Sequence, residues 1–223
     1  MTSPSGASSG LALEQIALVV LAAGRSTRLG SPKALLALDG RPLLEHLLAA
    51  PLLRRLGDVV VVLGHHAEAI RPIVERSTFR HLLNPDPDRG RTNSIQTGLA
   101  ALGPEIQAVF LQPVDCPLVL PETYLALIEA IGSAEVVIPS LHGEHGHPPL
   151  FSRALFALIL AAGPDEPLRD VFQSPGVRRR FVEVHDAGVL VNVNHPEDLQ
   201  ELEDLYAARG PRFAFSGGSL GAR

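Results

Sequence analysis

The sequence of 223 residues is poor in cysteine and in aromatic side chains. Cys116 is its only cysteine, tryptophan is absent, and aromatic residues make up 4% of the chain. A single cysteine excludes a disulfide framework and a cysteine-based zinc site within one chain. A reducing compartment, the cytoplasm, is therefore the simplest expectation.

The chain also lacks a surplus of basic residues and a long apolar run. Its 19 Lys and Arg stand against 24 Asp and Glu, a formal net charge of −5. A broad nucleic-acid-binding face needs surplus cations, so we expect no nucleic acid partner and only local phosphate recognition. No apolar stretch approaches the ~20 residues that span a bilayer, and the Ser- and Gly-rich start has no signal-peptide pattern. We expect no membrane association.

The composition, with 46% hydrophobic and 19% charged residues, is that of a globular protein. Its length suffices for one substantial core but is short for two independent domains. We therefore predict a single domain over residues 13–209. A disordered segment is expected at residues 1–12 and a flexible tail at residues 210–223.

Apolar runs alternate with amphipathic stretches along the chain. Unbroken apolar runs are typical of parallel strands buried on both faces, and the stretches between them predict crossover helices. The expected fold class is α/β, a three-layer α/β/α domain with a mostly parallel, Rossmann-like sheet. The predicted strands cover residues 16–21, 58–63, 80–83, 108–111, 135–138, 180–184 and 189–193. The predicted helices cover residues 42–56, 67–75, 94–102, 121–131, 152–162 and 196–208, and a Gly- and His-rich loop covers residues 141–149.

The strongest functional signal directly follows the first predicted strand, where Leu21 to Lys33 read LAAGRSTRLGSPK. Small residues let the backbone approach a ligand closely, and consecutive N–H groups in such a turn bind anions. Arg28 and Lys33 add two cations. Neither the P-loop pattern nor the dinucleotide G-x-G-x-x-G spacing is present. The segment therefore predicts a phosphate-binding turn of another kind.

This segment resembles the signature L-A-A-G-x-S-x-R-x-G-x-x-K of the pyrophosphorylase-like nucleotidyltransferases, and the similarity extends from about Ile16 to Leu205. The nearest branch is that of the MobA-like molybdenum-cofactor nucleotidyltransferases, and within it the cytidylyltransferases. The resemblance implies that Arg28 and Lys33 hold the phosphates of a nucleotide. It also implies that the small residues at the start of the turn lie against that nucleotide, namely Leu21, Ala22, Ala23 and Gly24.

Two residues with side-chain oxygens are candidates for a metal site. Asp115 ends an apolar run that is predicted to be a strand, and ligands of open α/β sheets bind outside the carboxyl ends of strands. The resemblance places a Mg²⁺-binding aspartate there, and a phosphate-bridging Mg²⁺ needs only one or two carboxylates. Asn194 is the second ligand that we select. Strand alternation puts Asn192 on the same face, and Asn194 is nearly as well suited to cap the final helix.

Two further segments resemble substrate-binding parts of the family. Gly90, Arg91 and Ser94 match the helix start at which relatives recognise the nucleotide base, although a serine there also suits a purely structural role. The segment Gly146-His147-Pro148, followed by Phe151, resembles the acceptor-facing segment of the cytidylyltransferases. We expect His147 and Phe151 to contact the acceptor; the alternative is a stiff proline turn with His147 in solvent. A zinc site is disfavoured because a glycine-broken loop fixes no tetrahedral geometry.

The resemblance implies that an acceptor phosphate attacks the α-phosphorus of an NTP and releases pyrophosphate. Arg28, Lys33 and Asp115 are the expected catalytic residues, and Mg²⁺ is the expected cofactor. CTP is the favoured nucleotide, GTP the second, and a molybdopterin-type phosphate the expected acceptor; a molybdoenzyme or its chaperone is the protein partner that such a product implies. The alternatives are guanylyl transfer to the same cofactor, transfer to a sugar or polyol phosphate, and a nucleotide-binding or cofactor-chaperone module without turnover.

Overall fold

The computed structural model describes residues 10–209, which form one eight-stranded sheet and a small two-stranded ribbon. The strands are β1 (Ile16–Ala22), β2 (Ala37–Leu38), β3 (Arg41–Pro42), β4 (Asp58–Leu63), β5 (Arg80–Leu83), β6 (Ala108–Pro113), β7 (Val136–Leu141), β8 (Glu144–His145), β9 (Leu150–Ser152) and β10 (Arg179–Glu183). The sheet order is β10-β7-β9-β6-β1-β4-β5, with β8 paired to β7, while β2 and β3 form the ribbon. β9 runs antiparallel to both neighbours, and the other pairs along the main order are parallel.

Helices cover both faces of the sheet. Residues 10–209 form α1 (Leu43–Leu48), α2 (Ala67–Ser77), α3 (Arg91–Ala100), α4 (Pro121–Ile131), α5 (Phe156–Ala161), α6 (Leu168–Phe172) and α7 (Asp198–Arg209). Apolar residues of α1, α2 and α4 pack in one buried cluster with Leu18 and Val20 of β1. Those of α3, α5 and α6 pack in a second cluster with Ala17 and Val19. Because alternate residues of one strand serve two clusters, the three-layer α/β/α prediction is confirmed.

The central strands follow directly from their sequence. All seven residues of β1 are buried, and so are the four consecutive valines of β4, Val59 to Val62. Such runs have no polar face to expose and are stable only when covered on both sides. This placement puts the carboxyl ends of β1 and β6 side by side, with Leu21 opposite Pro113.

Several predicted elements differ in the structure. The helix predicted over residues 42–56 stops at Leu48, and Pro51–Arg55 forms a separate 3-10 turn. The strand predicted over residues 189–193 is wrong. Val189 accepts a bond from the His147 N–H, and the Val193 N–H donates to Asp115, so the segment bonds to two separate partners instead of one neighbouring strand. The predicted loop over residues 141–149 contains β8, and β9 and α6 were not predicted.

The segments predicted at the two ends of the chain lie mostly outside the described residues. Residues 1–9 and the whole of residues 210–223 fall there. Leu11, which belongs to the predicted N-terminal segment, is described and packs against the core. None of the helices within residues 10–209 combines the length and the apolar composition of a membrane-spanning segment.

Candidate active site

The turn after β1 folds back on itself, so that its last residue returns to the end of the sheet. The Lys33 N–H donates to Ser26 Oγ at 3.0 Å, and the Leu29 N–H donates to the Ser26 carbonyl at 3.1 Å. Ser26 has a φ of 53° and Gly30 a φ of 68°, both in the left-handed region that makes such a tight turn possible. The turn thereby brings the Lys33 side chain beside the end of β6.

Lys33, Asp115 and Asn194 meet at this point. The Lys33 Nζ donates to Asp115 Oδ2 at 2.5 Å and to Asn194 Oδ1 at 2.8 Å. The Lys33 and Asp115 side chains are only 20% and 16% exposed, so their attraction is screened less than that of a surface pair. The structure therefore brings together three of the predicted site residues, from distant parts of the chain.

The backbone explains why Asn194 reaches Asp115. The Val193 N–H donates to the Asp115 carbonyl at 3.2 Å, which fixes the segment before α7 against the end of β6. Asp198, the first residue of α7, accepts from the N–H groups of Asn194 and His195 at 2.7 and 2.8 Å. These bonds lower the pKa of Asp198. Asp198 thereby fixes the segment before α7, and the Asn194 side-chain oxygen contacts the Lys33 Nζ.

Asp115 and Asn194 offer the kind of oxygen atoms that Mg²⁺ prefers. Within residues 10–209 there is no group of three or more His, Cys, Asp or Glu side chains suited to a metal ion. The two oxygens fit a Mg²⁺ that takes its other ligands from substrate phosphates and water, as is usual for this ion. The same two oxygens contact the Lys33 ammonium, so a cation already lies against them.

The residues predicted to bind the nucleotide line one cavity of about 280 Å³ beside this cluster. It is lined by Leu21, Ala22, Ala23, Gly24, Lys33, Gly90, Arg91, Ser94 and Asp115. Arg28 is the exception: it is exposed and lines a neighbouring cavity of about 230 Å³ together with Lys33 and Asn194. We name these the nucleotide cavity and the anion cavity.

The wall of the nucleotide cavity at the start of α3 is built on glycine. Gly90 has a φ of 113°, and a Cβ at this position would lie 2.4 Å from the Pro164 carbonyl oxygen and from Asp165 Oδ1. Only glycine fits there without a shift of the backbone. α3 begins at Arg91 rather than at the predicted Ser94, and the buried Ser94 hydroxyl accepts a bond from Asn84 at 2.9 Å.

His147 lies on a second, larger cavity of about 530 Å³, which Arg91 also lines. We name it the distal cavity. The backbone N–H of His147 donates to the Val189 carbonyl at 2.8 Å. Burial, together with the nearby Arg91, lowers the pKa of His147 to about 4, so its imidazole is neutral near pH 7. Its Nδ1 is buried without a hydrogen-bond partner in the structure.

Phe151 is not where an acceptor-binding residue belongs. It lies in β9, is 0% exposed, and its ring packs against those of Phe156 and Phe172. A ring enclosed by two others in the core has no free face for a ligand. The expectation that Phe151 contacts the acceptor is therefore wrong.

Other residues at the site were missed by the sequence analysis. Asn84, which directly follows β5, is 1% exposed; besides Ser94 it bonds to the Asp86 N–H and to Asn93. Arg25 forms a two-bond pair with Asp88 that joins the phosphate-binding turn to the segment before α3. No spacing in the sequence marks the Arg25–Asp88 pair, because its partners come from separate loops, and no local pattern marks Asn84 as buried.

The chain is similar in sequence to known nucleotidyltransferases. A model of the MobA-like NTP transferase domain matches residues 18–184. A 2-C-methyl-D-erythritol 4-phosphate cytidylyltransferase of Streptomyces avermitilis is 37% identical over 150 residues, 62% of this chain and 56% of that protein. A molybdenum cofactor guanylyltransferase of Xanthomonas euvesicatoria is 31% identical over 196 residues, 82% of this chain and 92% of that protein.

Solved structures share the fold. Rv0371c from Mycobacterium tuberculosis H37Rv, in complex with manganese, superposes with a TM-score of 0.73 at 27% identity, over 85% of this chain and 98% of that one. The chain spans between a quarter and about half of the length of the first curated relatives that it matches. The family match covers most of the chain, including the phosphate-binding turn and Asp115. The chain therefore belongs to the MobA-like NTP transferase family, a family of nucleotidyltransferases.

Proposed function

We propose that residues 13–209 act as a Mg²⁺-dependent nucleotidyltransferase domain that transfers CMP from CTP to a molybdopterin-type phosphate. An acceptor phosphate oxygen attacks the α-phosphorus; the new P–O bond forms as the bond to the departing pyrophosphate breaks. The observation that carries the proposal is the contact of Lys33 with Asp115 and Asn194 at the wall of the nucleotide cavity.

Each residue has a role that its position supports. Arg28 and Lys33 line the anion cavity, where their charges offset that of the departing pyrophosphate. Asp115 and Asn194 would hold Mg²⁺, which when bound supplies further positive charge to the phosphates. The mechanism needs no protein nucleophile, because positioning and charge neutralisation carry such transfers. Cys116 is unsuited to that role, since it is 1% exposed and burial raises its pKa.

The choice of substrates is supported by the sequence and by the relatives. The Gly146-His147-Pro148 segment resembles that of molybdenum-cofactor cytidylyltransferases, and His147 lines the distal cavity. One relative is named a cytidylyltransferase and another a molybdenum cofactor guanylyltransferase, so both bases occur among similar proteins. A manganese complex of a structural neighbour supports a divalent metal.

CTP should be preferred over GTP by at least tenfold in kcat/KM at a fixed acceptor concentration. The Gly146-His147-Pro148 segment and the helix start at Gly90 and Ser94 both resemble those of cytidylyl-transferring relatives, and this helix start lines the nucleotide cavity. Steady-state pyrophosphate release with each nucleotide measures the preference. A tenfold preference for GTP would instead make the chain a guanylyltransferase.

Replacing His147 with alanine should raise the KM for the acceptor, or lower kcat, while the KM for CTP stays within about twofold. The neutral imidazole lines the distal cavity and not the nucleotide cavity, and its Nδ1 has no protein partner. Initial rates with each substrate varied separately test this. Unchanged kinetics for both substrates would remove His147 from the acceptor site.

A second candidate acceptor is a polyol phosphate. It is favoured by the relative of highest identity among those described above, which is named for 2-C-methyl-D-erythritol 4-phosphate. Parallel assays with molybdopterin and with this polyol phosphate separate the two, because only the true acceptor yields pyrophosphate. Nucleotide binding without pyrophosphate release with any acceptor would instead indicate a nucleotide-binding or cofactor-chaperone module.

A further inference from the structure

The strand β10 lies at one end of the main sheet, next to β7, and its other edge carries unused backbone groups. The Arg178 carbonyl accepts from β7 at 3.3 Å, and the Val184 N–H donates to β7 at 2.8 Å. In a parallel pair of strands, alternate residues bond to the neighbour, so the even-numbered residues of β10 bond to β7. The N–H and C=O groups of Arg179, Phe181 and Glu183 therefore point away from the sheet.

The side chains of the same three residues are exposed. Phe181 is 48% exposed, and its ring stacks on that of His145 with 3.8 Å between the ring centroids. The Glu183 carboxylate accepts from the His142 N–H at 2.7 Å, which holds it in place. No hydrogen bond or ion pair among the described residues involves the Arg179 side chain. The free edge of β10 thus presents a cation, an aromatic ring and an anion in that order.

This order is self-complementary when a second copy of β10 lies antiparallel beside the first. With the two strands centred on Phe181, each Phe181 lies opposite its counterpart, and Arg179 of each copy lies opposite Glu183 of the other. These are the residues whose backbone groups are free, so they can form the hydrogen-bonded pairs of an antiparallel ladder. Aromatic pairs and opposite-charge pairs across two strands stabilise such a ladder.

The other registers of this strand lack the same agreement. Centring the pair on Arg179, Arg180 or Glu183 would place like charges directly opposite each other, which is destabilising. Centring it on Val182 would place Phe181 opposite Glu183 and remove both arginine–glutamate pairs. Charged residues on an edge strand commonly prevent pairing. Here their order permits pairing in one register and opposes it in the neighbouring ones.

We infer that two copies of the chain associate through β10, so that their sheets join into one continuous sheet around a two-fold axis. The strand has five residues, and a pair of strands this short lies below the roughly 1,200–2,000 Å² that a stable complex buries. The dimer is therefore weak and forms as the protein concentration rises. The inference is independent of the proposed function, because β7 and β9 separate β10 from β6 and the active site beyond it.

Sedimentation velocity of the full chain, measured over a series of micromolar concentrations, tests the association. We expect the sedimentation coefficient to rise from the monomer value toward the dimer value. Arg179→Glu should weaken the dimer about tenfold or more, because it places like charges opposite each other at two positions. Arg180→Glu is the matched control. It makes the same change of charge on the same strand but lies opposite Val182 of the other copy, so dimerisation should change by about twofold or less.

Mixing the variants Arg179→Glu and Glu183→Arg separates lost pairing from misfolding. Opposite charges face each other again at both positions of a mixed dimer, so the mixture should associate about tenfold more tightly than either variant alone. The inference is overturned if the unaltered chain stays a monomer at every concentration, if Arg179→Glu dimerises normally, or if the mixture associates no better than its components. Pyrophosphate release per chain should be equal for the unaltered chain and Arg179→Glu, so failure of the proposed function would appear separately.

Discussion

Replacing Asp115 with alanine should reduce Mg²⁺-dependent pyrophosphate release about 10²- to 10³-fold, the usual cost of removing a preorganised electrostatic group. Asp115 is the carboxylate at the site that contacts Lys33, and it lies against Asn194 at the end of β6. The loss should appear in kcat, because the Mg²⁺ that Asp115 would hold offsets the negative charge that develops as pyrophosphate departs. Stopped assays of pyrophosphate at saturating CTP and acceptor measure it.

The same variant should melt within a few degrees of the unaltered chain. Asp115 lies in the turn after β6, and its side chain belongs to none of the three buried apolar clusters, so a change of about 1 kcal/mol or less, some 2–4 °C for a chain of this size, is expected. Asp58→Ala is the matched control: it also breaks a carboxylate–cation pair, with Arg80, and its side chain is similarly buried, but it lies at the opposite end of the sheet. Normal pyrophosphate release by Asp115→Ala would make the metal assignment wrong.

Replacing Lys33 with methionine should change the affinities for the nucleotide and for a free metal ion in opposite directions. Binding of a CTP analogue should weaken tenfold or more, because a charge-assisted contact to phosphate contributes about 1.5–3 kcal/mol. Binding of Mn²⁺ without nucleotide should become tighter. The Lys33 ammonium bonds to the Asp115 and Asn194 oxygens that the ion needs, so its removal frees both. Calorimetry of the nucleotide and electron paramagnetic resonance of free Mn²⁺ measure the two effects.

Arg28→Met is the control for Lys33→Met. Arg28 lines the same anion cavity, and its loss changes the charge by the same amount, but it is exposed and is not among the partners of Asp115. Arg28→Met should weaken nucleotide binding. The affinity for Mn²⁺ in the absence of nucleotide should stay within about twofold of that of the unaltered chain. If Lys33→Met binds Mn²⁺ no more tightly than the unaltered chain, Lys33 does not compete with the ion for these oxygens.

The parts of the fold that the sequence predicts best are those whose signal is local. The predicted bounds of β4, Asp58–Leu63, and of α4, Pro121–Ile131, agree with the structure. The first is an unbroken apolar run, and the second begins with a proline at its first turn. The nucleotide cavity was likewise predictable in outline, because its turn and Asp115 follow the carboxyl ends of adjacent strands.

Features that depend on distant partners could not be predicted from the sequence. Asp186 is 2% exposed and accepts from the Leu120 N–H, the Thr123 hydroxyl and the Gly188 N–H, and it also pairs with Arg209. No local pattern distinguishes this carboxylate from one on the surface. The burial of Phe151 was unpredictable for the same reason. Its ring contacts those of Phe156 and Phe172 only after α5 and α6 have packed on the sheet.

The proposed reaction is tested most directly by following the two ends of the nucleotide during one turnover. CTP labelled at the α-phosphorus is mixed with the chain, Mg²⁺ and molybdopterin, and the products are separated. We expect the label to move to the acceptor and one pyrophosphate to be released for each label transferred, with no reaction when Mg²⁺ or the acceptor is left out. Tight nucleotide binding with no label on the acceptor, or release of orthophosphate instead of pyrophosphate, would contradict it.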